Sequence, residues 1–271
     1  MATRVYIHGE SDEESARLIE QAEILAPWVL DDLDLSGVKR LLEVGVGVGA
    51  ETRLYRRRWP EARVVGVDLS WHQLERARAV LAEALAERAV SLVRASGARL
   101  PFAEGTFDAA LAIWVLEHVP DPLAVMRECA RCLRPGGRFL AQEVFNTSLY
   151  LEPRRPIIRR YFDALSELQR AGGGHPDIAV RLPLYTERAG LQVESFRWTA
   201  IHVDARDRVE CVRLIRYFEG ICRSAEPQLR AAGMFSVEEM AQVWAAFDEV
   251  VADPDALLNY VSGRLVARRA Y

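Results

Sequence analysis

An apolar strand that runs into three evenly spaced glycines sets most of what this chain can become. Leu41-Leu42-Glu43-Val44 leads into Gly45-Val46-Gly47-Val48-Gly49, and a helix is expected directly after it. A second apolar run, Val64-Val65-Gly66-Val67, then ends on Asp68. A strand, a glycine turn, a helix and a strand tipped with an acid make a βαβ unit suited to a nucleoside. The glycines let backbone approach the ligand, and the acid accepts from the ribose hydroxyls. The glycine spacing narrows the choice of ligand. A pyrophosphate-binding turn reads G-x-G-x-x-G and presents a helix N-terminus to negative charge. Here the spacing is Gly45-x-Gly47-x-Gly49, and Glu43 precedes it. A carboxylate there repels a pyrophosphate and favours a ligand with a cationic amino group. A dehydrogenase is therefore disfavoured.

Further motifs follow in a fixed order. Leu100-Pro101-Phe102 precedes Thr106-Phe107-Asp108. A fourth strand, Ala109 to Trp114, runs into Val115-Leu116-Glu117-His118-Val119. Arg131-Cys132-Leu133-Arg134-Pro135-Gly136-Gly137 reads as a helix stop. Together with E-x-G-x-G-x-G and V-D-L-S, these motifs over residues 39–145 resemble the class I S-adenosylmethionine (SAM) dependent methyltransferases. The resemblance implies SAM as cofactor and S-adenosylhomocysteine as product. It implies a Rossmann-like α/β fold: a seven-stranded, mostly parallel sheet with helices on both faces.

The resemblance also assigns residues. Glu43 would sit beside the SAM amino group, directly or through water, with backbone of Gly45, Gly47 and Gly49 against the amino-acid part. Asp68 would take the ribose hydroxyls and Leu69 the adenine face. Ser96 stands where many relatives carry an aspartate for the adenine amino group, so Gly97 and Ala98 backbone would share that task. Trp114 and Val115 would line the cleft near the methyl donor. Arg17 and Gln21, one turn apart on a leader helix, would face the SAM carboxylate. The blander readings stand beside these: Glu43 as a strand-end acid bonded to the glycine loop, Arg17 and Gln21 as a solvated helix face. His118 is the candidate general base, because imidazole takes up protons near neutral pH. Glu117 and His118 also suit a plain helix start. Tyr6, Tyr150, His175 and His202 are candidates for the substrate side.

The remaining features organise the chain. Ser11 with Glu14 reads as a capping box that opens a helix to about Val29. Strands are expected at 39–44, 63–67, 90–94, 107–114, 138–145, 193–203 and 259–268. Helices are expected at 71–88, 122–133 and 177–189. Residues 1–36 then form a leader over the cofactor site, and 37–145 the SAM-binding core. Residues 146–271 complete the sheet, with helical insertions at about 146–177 and 205–252. Both insertions leave the carboxyl ends of strands, where ligands bind in open α/β sheets, and should form a lid. Cys129 and Cys132 form a C-x-x-C, but their helical spacing with Leu123 and Met126 points to a core face, and no metal site is expected.

A net charge of −4 gives no general reason to bind nucleic acid. Neither a secretory leader nor an apolar run long enough for a bilayer is expected, so the compartment is expected to be the cytoplasm. The expected activity is methyl transfer to N, O or C of a small molecule in bacterial secondary metabolism, by a monomer or homodimer. The alternatives are a SAM-aided cyclisation and a non-catalytic SAM-binding or regulatory protein on the same fold.

Overall fold

The computed structural model describes residues 11–30 and 33–271. The stretch from Arg4 to His8, expected from the sequence to be a short extended piece, lies with Tyr6 outside the described residues.

Strand β1 (Arg40–Val44) is the middle of the parallel part of the sheet. β2 (Arg63–Asp68) pairs on one side of it and β4 (Phe107–Ile113) on the other, both parallel. β3 (Val90–Arg94) extends the sheet past β2, and β5 (Leu133–Val144) extends it past β4. Three helical connections are α2 (Ala50–Arg58), α3 with α4 (Trp71–Val80, Ala82–Ala86), and α5 (Pro122–Cys132). Alternate strand residues feed opposite faces. Leu42, Val44, Ala110 and Ala112 pack with Val125, Met126, Cys129 and Cys132 of α5. Leu41, Val64, Ala109 and Leu111 pack with Tyr55 of α2, Trp59 just past its end, and Ala77 of α3. Both faces are covered, as a parallel sheet requires. Cys129 and Cys132 are free thiols with no exposed surface, on the core face of α5.

Beyond β5 the sheet turns antiparallel. β8 (Leu257–Arg269) pairs β5 along Ser262 to Arg268. A three-residue strand, β6 (Tyr150–Glu152), meets the same edge of β8 at Leu257 to Asn259. β7 (Leu191–Asp204) covers the other edge of β8 along its whole length. The sheet thus has eight strands where seven were expected. The extra one, β6, is too short to show an alternating pattern, and only its pairing with β8 defines it.

Several boundaries also move. The expected 71–88 helix breaks at Leu81, whose side chain packs toward Gly49. The 177–189 helix is a 3-10 turn (Ile178–Arg181) followed by α7 (Leu182–Arg188). β5 begins at Leu133 because Phe107 pairs Leu133 before the register shifts.

The leader helix α1 (Asp12–Leu30) opens as its sequence suggests, with Glu14 N–H donating to Ser11 Oγ at 3.1 Å. It joins α6 (Pro156–Ala171), α8 (Arg208–Ala231) and α9 (Val237–Ala252) in one apolar cluster. Leu25, Val29, Tyr161, Leu165, Leu214, Phe218, Val243 and Phe247 are its buried centre. Ile113 and Trp114, at the carboxyl end of β4, pack against this cluster and so join cap to core. Among the described residues no helix is long and apolar enough to cross a membrane.

Candidate active site

The glycine loop is held by the end of β2. Gly45 and Val46 donate their N–H groups to the Val67 carbonyl at 2.8 and 3.0 Å, and Gly47 donates to Asp68 Oδ2 at 2.9 Å. Gly45, Gly47 and Gly49 all have positive φ, a region that costs other residues. Gly45 is tightest: a Cβ there would lie 2.4 Å from Val115 Cγ2. At Gly47 a Cβ would meet nothing within 4 Å, so that side of the loop is open. Asp68 Oδ1 accepts from Ser70 N–H at 2.9 Å. These two bonds orient the carboxylate. Leu69, next to it, is 66% exposed. Across β2, Ser96 Oγ accepts from Ala98 N–H at 3.3 Å, and Gly97 packs against Val44.

Behind the loop lies a buried acid. Glu43 is 5% exposed and accepts from Thr52 Oγ1 of α2 at 2.5 Å. Burial pushes its carboxyl up to about 8, aided by the charges of Glu51 and Asp68. Glu51, in the first turn of α2, is pushed up to about 7 by desolvation. Tyr55, within electrostatic reach of both carboxyls, is 1% exposed, and its hydroxyl has no hydrogen-bond partner among the described residues.

The turn after β4 carries the second part of the site. Trp114 sits at φ +49, an uncommon backbone state for a tryptophan, and its indole Nε1 is buried without a partner among the described residues. The N–H groups of Val115, Leu116 and Glu117 all donate to the Glu143 carboxyl of β5, at 3.0, 2.8 and 3.3 Å. Glu143 has no exposed surface, and burial with the nearby Glu117 pushes its carboxyl well up.

Glu117 in turn is tied to the cap. Gln169 Nε2 of α6 donates to its Oε2 at 2.8 Å, and His175 N–H donates to its carbonyl at 2.7 Å. Gly174 allows this approach, since a Cβ there would lie 2.8 Å from the Glu117 carbonyl. Burial lifts the Glu117 carboxyl to about 7. His118 Nε2 stands 3.6 Å from Glu117 Oε1, with the imidazole 23% exposed.

The leader helix and α8 face the same region. Arg17 grips Glu14 with two bonds, at 2.7 and 2.6 Å, and donates to Gln21 Oε1 at 2.7 Å. The Glu14 side chain is 2% exposed and that of Arg17 15%, so the pair is not a solvated helix face. Tyr217 of α8 lies within electrostatic reach of Arg17, Glu51, Glu117 and Glu14.

The structure therefore gathers Glu43, the three glycines, Asp68, Trp114 and Val115 at the carboxyl ends of β1, β2 and β4, with His118 and His175 on the connected turn. Tyr150 and His202 lie on the strands that border the start of β8. They flank Asn259 from the two sides of β8, and Tyr150 bonds Glu152 while His202 faces Asp204 at 3.4 Å. Glu51, Tyr55, Glu143, Gln169 and Tyr217 were not anticipated. Only the doublet of Glu51 and Thr52 in the first turn after Gly49 offered a sequence signal.

Comparison with known proteins agrees with this geometry. Residues 42–141 match the methyltransferase domain family. The chain is 40% identical over 128 residues to methyltransferase GfsG of Streptomyces halstedii, covering 47% of this chain and 45% of that protein. It is 36% identical over 131 residues to the 27-O-demethylrifamycin SV methyltransferase of Amycolatopsis mediterranei, covering 48% of each. The chain spans about half the length of these curated relatives. Geranyl diphosphate C-methyltransferase of Streptomyces coelicolor, solved with S-adenosylhomocysteine, shares the fold at TM-score 0.54 and 19% identity, over 93% of this chain and 79% of that one. Residues 42–141 are thus a methyltransferase domain, and the order of its motifs and the shared fold are similar to those of the class I SAM-dependent methyltransferases.

Proposed function

We propose that the protein transfers a methyl group from SAM to a nitrogen, oxygen or carbon of a small molecule, in the cytoplasm and in bacterial secondary metabolism. The observation that carries this reading is the buried Glu43 behind an open glycine loop: among the described residues no ion pair reaches it. A buried carboxyl without a cation suits a ligand that brings one. SAM fits, because it carries an ammonium and no phosphate. When bound, it supplies an electrophilic methyl on a neutral leaving group.

The chain's residues do the rest. Glu43 and the Gly45-Gly47-Gly49 loop hold the amino-acid end, with Arg17 and Gln21 toward its carboxylate. Asp68 accepts from the ribose hydroxyls. Leu69, Ser96, Gly97 and Ala98 border the adenine. Trp114 and Val115 flank the reacting centre. His118 accepts a proton where the substrate must lose one. The insertions at 146–177 and 205–252 form the lid that orients substrate and excludes water. His175 and Tyr217 face the substrate from that side. The relatives' names favour small molecules made by bacteria, such as a rifamycin precursor.

Calorimetric titration with S-adenosylhomocysteine, with NAD as control, tests the cofactor. Micromolar binding of the first and none of the second is expected. NAD binding, or no binding by folded protein free of copurified ligand, would overturn the reading. Methyl-labelled SAM then separates transfer from cyclisation, since only transfer labels the product.

A further inference from the structure

The cap clamps the turn after β4 at Glu117. Glu117 and Gln169 of α6 are each 7% exposed. Gln169 Nε2 donates to Glu117 Oε2 at 2.8 Å and to the Glu117 carbonyl at 3.3 Å. His175 N–H donates to the same carbonyl at 2.7 Å, and the missing Cβ of Gly174 lets the loop come that close. From the core side, Glu143 Oε2 accepts from Glu117 N–H at 3.3 Å. Both backbone and side chain of Glu117 are therefore fixed. The other carboxylate oxygen, Oε1, lies 3.6 Å from His118 Nε2. That separation is a charge contact, and such contacts tighten into hydrogen bonds once substrate is bound. Gln169 is neutral, so it orients the carboxylate without neutralising it.

We propose that Glu117 and Gln169 are positioning residues for His118: Gln169 fixes the Glu117 carboxylate, and the carboxylate orients the imidazole and stabilises the imidazolium. The proposal rests on the methyl-transfer reading above, in which His118 takes the substrate's proton. In that step the nucleophile's bond to the methyl carbon forms as the carbon–sulfur bond breaks, and the electron pair of that bond goes to sulfur. The nucleophile's proton passes to the imidazole, which becomes a cation. A carboxylate at this distance favours the cation. Burial lifts the Glu117 carboxyl to about 7, so its anion gains from the cation in return. Among the described residues, the other titratable groups around this turn are Asp121 at the cap of α5, His175, Glu143 of β5, Tyr217 of α8 and Tyr260 of β8. Asp121 is engaged by Ala124 N–H, Glu143 by three amides of the turn, and the Tyr260 hydroxyl by Asn146. Because Gln169 belongs to α6, the support of His118 is complete only while the cap lies against the turn.

The test follows the imidazole Cε1–H resonance of His118 by proton NMR, in a pH titration of the intact chain. Its loss in His118→Asn assigns the resonance. Glu117→Gln keeps the size and an acceptor for Gln169 but removes the charge. It should lower the His118 midpoint by about one pH unit. Gln169→Met keeps the length but removes the donor. The Glu117 carboxyl then holds its proton more strongly, and the His118 midpoint should fall part of the way. A merely structural role for these residues would move the unfolding midpoint and leave the imidazole titration where it was. An unmoved His118 midpoint in either folded variant would overturn the proposal, and would leave the methyl-donor reading standing as long as the unaltered chain binds S-adenosylhomocysteine. Failure of the folded, unaltered chain to bind it would remove both.

Discussion

The glycine loop and the helical cap reach order by opposite means. The loop is held by backbone. Its N–H groups bond the end of β2, its glycines occupy positive φ, and it lies against Val115 with no room for a Cβ at Gly45. The cap is held by bulk. α1, α6, α8 and α9 share one apolar cluster, with ion pairs such as Arg155–Glu249 and Arg160–Glu239 at the rim. Such exposed pairs contribute roughly 0–1 kcal/mol each. Of the four arginines in residues 154–160, Arg155 and Arg160 tie this end of α6 to α9, while Arg154 bonds Tyr150 and Arg159 pairs with Asp163. Where a ligand's atoms must be met, position is fixed by hydrogen bonds. Where a surface only has to be closed, side-chain volume suffices, and many sequences can supply it.

That contrast can be broken from either side. Phe247 has no exposed surface and lies at the centre of the cap cluster. Phe247→Ala should cost about 3–5 kcal/mol in denaturant unfolding. S-adenosylhomocysteine affinity under native conditions should change far less. A fall in affinity as large as the fall in stability would show that the cap, too, sets the ligand's position. Gly45→Ala should do the reverse. Positive φ and the overlap with Val115 should together cost about 2–4 kcal/mol of stability. Ligand binding, measured by calorimetry, should be lost, and intact binding would show that the loop can move aside.

The smallest effect sharpens the boundary between the regions. Glu117 belongs to the core turn but is held by Gln169 of the cap. Its folded carboxyl stands at about 7 against an ordinary 4.5, so the folded chain keeps a proton that the unfolded chain gives up. Stability should therefore fall as pH rises from about 5 to 7 and then level off, as far as this group is concerned. Glu117→Gln should flatten that part of the slope in a pH series of unfolding curves. An unchanged slope would assign it to Glu43 and Glu51.

The same division decides what could be read from sequence. β1, β2 and the glycine loop are local patterns, and they lie within a residue of where their spacing put them. So does the leader helix, whose Ser11 cap is a local signal. Gln169 reaches Glu117 across 52 positions, and Glu143 reaches Val115 across 28. Nothing in the neighbourhood of Gln169 or Glu143 announces a partner so remote. β6 escaped for a related reason, since three residues carry no period. Tyr150 and His202 pair with the same residue, Asn259, from the two edges of β8, a relation that residue type alone does not announce. The run Gly172-Gly173-Gly174-His175 was visible as a break. Its purpose, to bring backbone against Glu117, shows only once the turn and α6 are seen together.

β8 also has a consequence in time. It lies between β5 and β7, yet it is synthesised after both of them. During translation the two flanking strands wait with open edges, and neither can use the other as a substitute. The α-helical layers on β1 to β5 are made of contacts close along the chain and can assemble early. The sheet closes last, by insertion of one strand into a prepared slot. Until then the open edge of β5 is the place where a nascent chain is exposed to wrong strand partners.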